Sequence, residues 1–145
     1  MLNNIPSCIS PELMKTMMSM GHGDKLILAD ADFPAETFGK HVIRADGISM
    51  IELAKAILRF FPIDSYVEKP VAVMAPVGDA VFPETLISIK KIIKNYHPKF
   101  DDYEYIERFA FYERAREAFA IVATSEADGN LILQKGVVSA ENFWI

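Results

Sequence analysis

Short apolar runs separated by turn-forming residues dominate the pattern of this sequence. Segments 26–29, 71–75 and 120–124 are mostly continuous apolar runs, which are typical of strands covered on both faces. Weaker patterns at 42–45 and 131–133 predict two further strands, and segment 103–107 alternates like a half-exposed strand. The turn 128–130 joins the last two strands.

Helical spacing alternates with these strands. The clearest helix begins at Ser10 as the capping residue, has Pro11 in its first turn, and can be closed by Gly21. Further helices are predicted over residues 50–61, 83–96 and 110–118. Strands interleaved with helices predict an α/β fold, a single three-layer α/β/α domain over residues 1–145 with a mostly parallel or mixed central sheet.

Composition narrows the classes of function. The 145 residues are 51% hydrophobic and 24% charged with a net charge of −5, which argues against nucleic acid or an anionic membrane surface as partner. No apolar run approaches the roughly 20 residues that span a bilayer. The amino-terminal segment lacks a secretory pattern, and the single Cys8 forms no internal disulfide. We therefore expect a cytoplasmic protein.

His22 is the first candidate for chemistry. It stands between Gly21 and Gly23, just after a predicted helix and before a buried strand, so little local side-chain cover surrounds its imidazole. Histidine exchanges protons near neutral pH, which makes it a candidate acid/base group in a cleft. The alternative is a solvent-exposed turn histidine without a role.

Asp30 is the second candidate. It follows an apolar strand at the carboxyl end, where open α/β sheets place their ligands. The alternative is an aspartate that caps a nearby backbone amide. Together with Asp32 it also resembles the paired aspartates of magnesium-dependent phosphotransferases. Phe33 and Pro34 stand where such sites need glycine or threonine, which weakens this interpretation.

Arg108 lies among aromatic residues at a predicted strand-to-helix junction. Aromatic rings cover the apolar face of a sugar, and a guanidinium donates hydrogen bonds to its hydroxyls. The alternative is an arginine paired with Glu107 or Glu113 on a solvated helix face.

Metal and cofactor signatures are missing from the sequence. The three histidines, 22, 41 and 97, and the single cysteine show no metal-ligand spacing. Glycine-rich phosphate loops are also absent. We expect neither a metal nor an organic cofactor.

Four motifs carry a resemblance that extends over about residues 9–137. They are ISPELMKTMMSMGHGDKLILADADFPA, VIRADG, ERFAFYERA and GNLILQKGV, in this order. Together they resemble the ribose pyranase and fucose mutarotase family, most closely its bacterial fucose mutarotase branch.

The resemblance implies a cofactor-independent mutarotase that interconverts the α and β anomers of free L-fucose. His22 would be the proton donor, and Asp30, Arg108, Gly129 and Asn130 would hold the sugar. It also implies a ring-shaped homo-oligomer, typically a decamer, in which a neighbouring subunit completes each site.

One position departs from the family pattern. Asp128 stands before the Gly-Asn turn where relatives carry an aromatic residue, usually tyrosine. Asp128 can still accept hydrogen bonds from sugar hydroxyls, and Tyr112 is our candidate for the aromatic role. The tail 140–145, with Phe143 and Trp144, is expected to be a packing or interface element.

Two other functions stay open at this point. The sister branch of the family suggests a ribose pyranase activity, although the RFAFYERA motif favours fucose. A non-catalytic sugar-binding or regulatory protein would keep the fold and lose the acid/base chemistry.

Overall fold

A six-stranded mixed sheet forms the centre of the computed structural model, which describes residues 1–143. The strand order is β2-β5-β1-β6-β3-β4, in which β6 runs antiparallel to both neighbours and the other paired strands are parallel. The strands are β1 (Lys25–Ala29), β2 (Val42–Ala45), β3 (Val71–Met74), β4 (Glu104–Ile106), β5 (Ala120–Thr124) and β6 (Leu131–Gln134).

Helices cover both faces of this sheet. Helices α1, α3 and α4 contribute to one core and helices α2 and α5 to the other, so the predicted three-layer α/β/α arrangement is confirmed. The helices are α1 (Pro11–Ser19), α2 (Ala35–Phe38), α3 (Met50–Leu58), α4 (Glu84–Tyr96) and α5 (Arg108–Glu117), with a 3₁₀ turn at Ala140–Asn142.

The continuous apolar run of β1 supplies both cores. Leu26 and Leu28 pack towards α1, α3 and α4, whereas Ile27 and Ala29 pack towards α2 and α5. Successive side chains of a strand point to opposite faces, and a strand with helices on both faces has no polar side.

Capping residues set two of the helix starts. Ser10 Oγ accepts the Leu13 N–H at 3.1 Å, which confirms the predicted start of α1. Glu107 accepts the Ala110 N–H at 3.1 Å, and α5 consequently begins at Arg108, two residues earlier than predicted. Arg108 does lie at a strand-to-helix junction, as its position in the sequence predicts.

The structure differs from the predicted helices at two points, the end of α3 and the additional helix α2. Helix α1 ends at Ser19 with Met20 as its C-cap, and Gly21 follows directly after the cap. Helix α3 ends at Leu58, and the chain turns before Pro62, a residue that disfavours helical backbone ahead of it. The four-residue α2 was not predicted, because one turn is too short to show helical periodicity.

The described part of the chain contains no helix that is long and apolar enough to cross a membrane. Within the tail, Phe143 is largely exposed. The predicted packing role of Trp144 concerns a residue outside the described range.

Candidate active site in two clusters

The first cluster lies at the carboxyl end of β1 and consists of Asp30, Gly129 and Asn130, hereafter the Asp30 cluster. Asp30 is 8% exposed, and its Oδ2 accepts the Gly129 N–H at 3.1 Å and the Asn130 Nδ2–H at 2.9 Å. Its Oδ1 accepts the Asp32 N–H at 3.2 Å, and its own N–H donates to Asn130 Oδ1 at 2.9 Å. The cluster is a buried carboxylate held by donors from the chain itself.

Backbone conformation at Gly129 makes this arrangement possible. Its φ of +128° is a value that side-chain-bearing residues rarely adopt, and a Cβ there would lie 3.2 Å from Leu86 Cγ. Burial raises the pKa of Asp30 above its usual range, and hydrogen bonds from Gly129 and Asn130 oppose that rise. A carboxylate held in this way is preorganised to accept further hydrogen bonds from a ligand.

Three other residues were predicted to bind the sugar. Arg108 and Tyr112 lie in α5, and Asp128 directly precedes Gly129. Arg108 follows β4, whose carboxyl end lies at the same sheet edge as Asp30, and its guanidinium carbon lies 4.6 Å from the Phe109 ring centroid. Asp128 is exposed beside Gly129. Tyr112 is half-buried and stacks on Phe38 with centroids 4.8 Å apart. No hydrogen bond within residues 1–143 joins Arg108, Asp128 or Tyr112 to Asp30 or Asn130.

The second cluster lies at the amino end of β1 and consists of His22, Asp64, Tyr66 and Gln134, hereafter the His22 cluster. His22 Nε2 lies 3.1 Å from Asp64 Oδ1. The same Oδ1 accepts the Tyr66 N–H at 3.0 Å, and Asp64 Oδ2 accepts the Gln134 Nε2–H at 2.9 Å. The Tyr66 ring lies with its centroid 5.1 Å from that of His22.

His22 and Asp64 differ sharply in their exposure to solvent. The His22 side chain is 45% exposed and that of Asp64 only 2%. Burial by itself would raise the pKa of Asp64, but hydrogen bonds from Tyr66, Gln134 and His22 outweigh it and hold the pKa below its usual value. An ionised, buried carboxylate therefore backs an imidazole that is about half exposed to solvent.

The segment that carries Asp64 is fixed on several sides. The Asp64 N–H donates to the Gln134 carbonyl at 3.0 Å, and the Gly136 N–H donates to the Pro62 carbonyl at 2.8 Å. His97 Nε2 accepts the Ile63 N–H at 3.4 Å. Gly136 is needed because a Cβ there would lie only 2.7 Å from Asp64 Cα. The position of Asp64 is determined by backbone contacts that leave little room for movement.

The two clusters lie at opposite edges of the sheet. Strand β1 alone separates them by about 13 Å, four residue steps of roughly 3.3 Å each. This is farther than the ring of one monosaccharide reaches, so a single chain does not bring His22 to the sugar-binding residues at Asp30. Asp30 therefore does not orient the His22 imidazole within one chain, because Asp64 is the carboxylate that contacts it.

Asp64, Tyr66 and Gln134 were missed by sequence reasoning. Asp64 and Tyr66 lie in a proline-bounded segment without periodicity, and Asp64 meets His22 across 42 positions of sequence. The sequence signal was only a carboxylate after an apolar residue, which many loops share.

Carboxylates and histidines do not converge elsewhere into a metal site. Residues 1–143 contain no group of three or more His, Cys, Asp or Glu side chains that could hold a metal ion. Asp30 directs both carboxylate oxygens at N–H donors, and Asp32 is exposed. This arrangement does not support the magnesium-dependent alternative.

Comparison with known proteins identifies the family. The model of the RbsD / FucU transport protein family matches residues 3–138. The chain belongs to this family. The resemblance predicted from the motifs is thereby confirmed.

Relatives of this RbsD / FucU family chain are similar over almost their whole length. An L-fucose mutarotase from Actinobacillus pleuropneumoniae is 46% identical over 140 residues, which are 94% of this chain and 97% of the relative. The crystal structure of the fucose mutarotase from Streptococcus pneumoniae in complex with L-fucose is 40% identical, with a TM-score of 0.90 over 95% of this chain and all of that one. FucU from Bifidobacterium longum is 46% identical, with a TM-score of 0.89 over 93% of this chain and 99% of that one.

Proposed function

We propose that this protein is an L-fucose mutarotase, an isomerase that interconverts the α and β anomers of the free sugar. The observation that carries the proposal is the near full-length match to fucose mutarotases, one of them solved with L-fucose bound. The match spans both the His22 cluster and the Asp30 cluster. We treat residues 1–145 as one catalytic domain.

The reaction needs proton transfer and no net change in oxidation state. The anomeric hydroxyl loses its proton, the bond between the anomeric carbon and the ring oxygen breaks, and the ring oxygen gains a proton. The open-chain aldehyde rotates about its C1–C2 bond and closes on the other face by the reverse steps. One group that alternates between acid and base can therefore serve both directions, and positioned proton transfer contributes typically about 10²–10⁴-fold.

In the proposal, His22 is that group and Asp64 determines which nitrogen exchanges the proton. An ionised carboxylate only accepts hydrogen bonds, so the hydrogen on His22 Nε2 points at Asp64 Oδ1. The Nδ1 lone pair is then the basic site presented to the sugar. When Nδ1 takes a proton, the buried carboxylate stabilises the resulting imidazolium.

The Asp30 cluster supplies sugar binding in this proposal. Asp30 accepts hydrogen bonds from sugar hydroxyls, and the Asn130 amide and Arg108 guanidinium donate to others. Tyr66 provides an exposed aromatic face beside His22, a residue that sequence reasoning did not consider for this role. Tyr112 and Asp128 stay candidates for sugar contact from the other side.

We further propose that each active site forms between two subunits. In this proposal His22 of one subunit meets Asp30 of the next, so that two different surfaces of the chain are in contact, and the separation of the clusters supports this arrangement. Such a heterologous contact generates a closed ring when the rotation closes. Exposed apolar side chains near both clusters, Tyr66 and Val137 at one edge and Phe109 at the other, suit burial in this contact. The family resemblance predicts a decamer, and the cytoplasm is our proposal for its compartment.

Saturation-transfer proton NMR tests the activity directly. One anomeric proton of equilibrated L-fucose is irradiated, and transfer of saturation to the other is measured with and without protein. We expect transfer with L-fucose that is lost in His22→Ala, and little transfer with glucose. No transfer with L-fucose under conditions where the protein binds it would leave a non-catalytic sugar-binding protein as the better interpretation.

Subunit mixing tests the shared site. His22→Ala and Asp30→Asn chains are co-expressed with different tags, and mixed oligomers are purified by both tags. At L-fucose concentrations well below the KM, each variant alone is expected to be strongly impaired, whereas random mixing pairs an intact His22 with an intact Asp30 at about a quarter of the contacts. Mixed oligomers no more active than the two variants assayed separately would contradict a site shared in this way.

A further inference from the structure

A basic groove lies between the amino-terminal segment, α3 and α4, away from both clusters. It is a cavity of about 810 Å³, in the range of about 300–1,000 Å³ typical of small-molecule sites. Helix α3 contributes Lys55 with Arg59 just beyond it, and α4 contributes Lys91 and Lys94. We use the name basic groove for this cavity and these four side chains.

The charge of the basic groove is opposite to that of the chain. Its four cations face one carboxylate, Glu52, which gives a local charge of +3 on a protein whose net charge is −5. All five side chains belong to exposed residues. A positive cavity on an acidic protein concentrates anions from solution.

None of the four cations forms an ion pair with a carboxylate in the described part of the chain. Among residues 1–143, no carboxylate oxygen lies within 4.0 Å of the charged nitrogens of Lys55, Arg59, Lys91 or Lys94. By contrast, Lys90, one residue from Lys91, reaches Asp102 at 2.5 Å and Arg114 pairs with Glu104. A helix C-terminus favours a nearby cation, but this local effect does not explain four unpaired cations lining one cavity.

The four cations form two pairs, one from each of the two helices that border the basic groove. Lys55 and Arg59 are four positions apart on one side, and Lys91 and Lys94 are three apart on the other. Ile92 and Ala56 provide apolar lining, and Tyr96 adds a ring at the rim. Lysine ammonium groups and an arginine fork are the usual binding partners of phosphate.

We propose that the basic groove binds a phosphorylated small metabolite with two or more negative charges. The cations hold the phosphate groups, and the apolar lining with Tyr96 covers the organic part. This site is independent of the proposed mutarotase activity, because it uses no residue of either cluster.

Calorimetric titration of the full-length oligomer tests the site. The probes are inorganic phosphate, glucose 6-phosphate and ATP, with adenosine as the uncharged counterpart of ATP, all in buffer without added divalent cations. We expect saturable binding of at least one phosphorylated probe and none of adenosine. In the double variant Lys55→Gln/Lys91→Gln the affinity should fall roughly tenfold, since each exposed ion pair contributes a factor of about two to five.

A matched double variant separates the groove from general charge effects. Lys15 and Lys40 are exposed, lie outside the groove and make no ion pair within residues 1–143. Lys15→Gln/Lys40→Gln should bind each probe as the parent does. Equal weakening in both double variants, or no saturable binding of any phosphorylated probe, overturns the proposal. An altered oligomer size of Lys55→Gln/Lys91→Gln in sedimentation, without probe binding to the parent, would instead identify the groove as a contact between copies.

Discussion

Replacing Asp64 by asparagine should slow anomer exchange without unfolding the protein. Asparagine is nearly isosteric, and its Oδ1 can still accept hydrogen bonds from His22 Nε2 and the Tyr66 N–H. Its amide nitrogen replaces Oδ2, and the Gln134 amide can rotate to present its oxygen there. What the variant removes is the negative charge behind the imidazole.

The expected slowing of exchange follows from the hydrogen bond between His22 and Asp64 and from its exposure to solvent. A hydrogen bond to a charged group contributes about 1.5–3 kcal/mol and a neutral one about 0.5–1.5 kcal/mol, so the loss is about 1–1.5 kcal/mol. His22 is 45% exposed, and solvent screening places the loss at the lower end of this range. A barrier raised by about 1 kcal/mol slows exchange roughly fivefold.

The assay is the exchange rate of L-fucose anomers measured by saturation transfer, together with the thermal unfolding midpoint. Asp101→Asn is the control, because Asp101 is an exposed aspartate without an ion pair within residues 1–143. An exchange rate of Asp64→Asn within the error of the parent, alongside an inactive His22→Ala, would refute the argument that Asp64 supports the proton exchange.

Three further predictions follow from the same geometry. In Asp30→Asn the new amide N–H faces one of the N–H groups that now donate to the carboxylate. The KM for L-fucose should therefore rise about tenfold, and the unfolding midpoint should fall. An unchanged KM would show that Asp30 has only a structural role. In Gly136→Ala the new Cβ would lie 2.7 Å from Asp64 Cα, so the segment that carries Asp64 must shift, and kcat should fall by up to about 10²-fold. Activity equal to that of the parent would show that this segment can move without harming catalysis. The pKa of Asp64 lies below its usual value and that of Asp102 is lowered to about 2 by Lys90, so both carboxylates stabilise the fold above the unfolded pKa. Denaturant unfolding should therefore show that this stability is lost as pH falls from about 4 towards 2, and a free energy of unfolding that is flat over this range would contradict it.

Local signals predicted the fold well. The Ser10 cap, the apolar run of β1 and the alternation of helices with strands are each set by neighbouring residues, and all appear in the structure. The order of the strands in the sheet could not be predicted, because it depends on pairing between strands that are far apart in sequence. The insertion of β6 between β1 and β3 is an example.

The candidate site was predictable only in part. His22 and Asp30 stand out through their immediate neighbours, two glycines in one case and the end of an apolar strand in the other. Asp64 has no such signature, because its burial and its contact with His22 arise from tertiary packing. The opposite placement of His22 and Asp30 follows from the direction of β1, and it is the reason for the proposal that different subunits contribute them to one site.

Strand β6 would connect two consecutive active sites in the proposed ring. It leaves Asn130 in the Asp30 cluster and ends at Gln134 in the His22 cluster, and it is hydrogen-bonded to β1 and β3 along its length. In a head-to-tail ring these two ends belong to consecutive active sites. A slip of β6 by one residue would turn its side chains to the other face and damage two sites in one event. In the proposed ring, β6 would set the distance between neighbouring sites, and both sites would constrain its length.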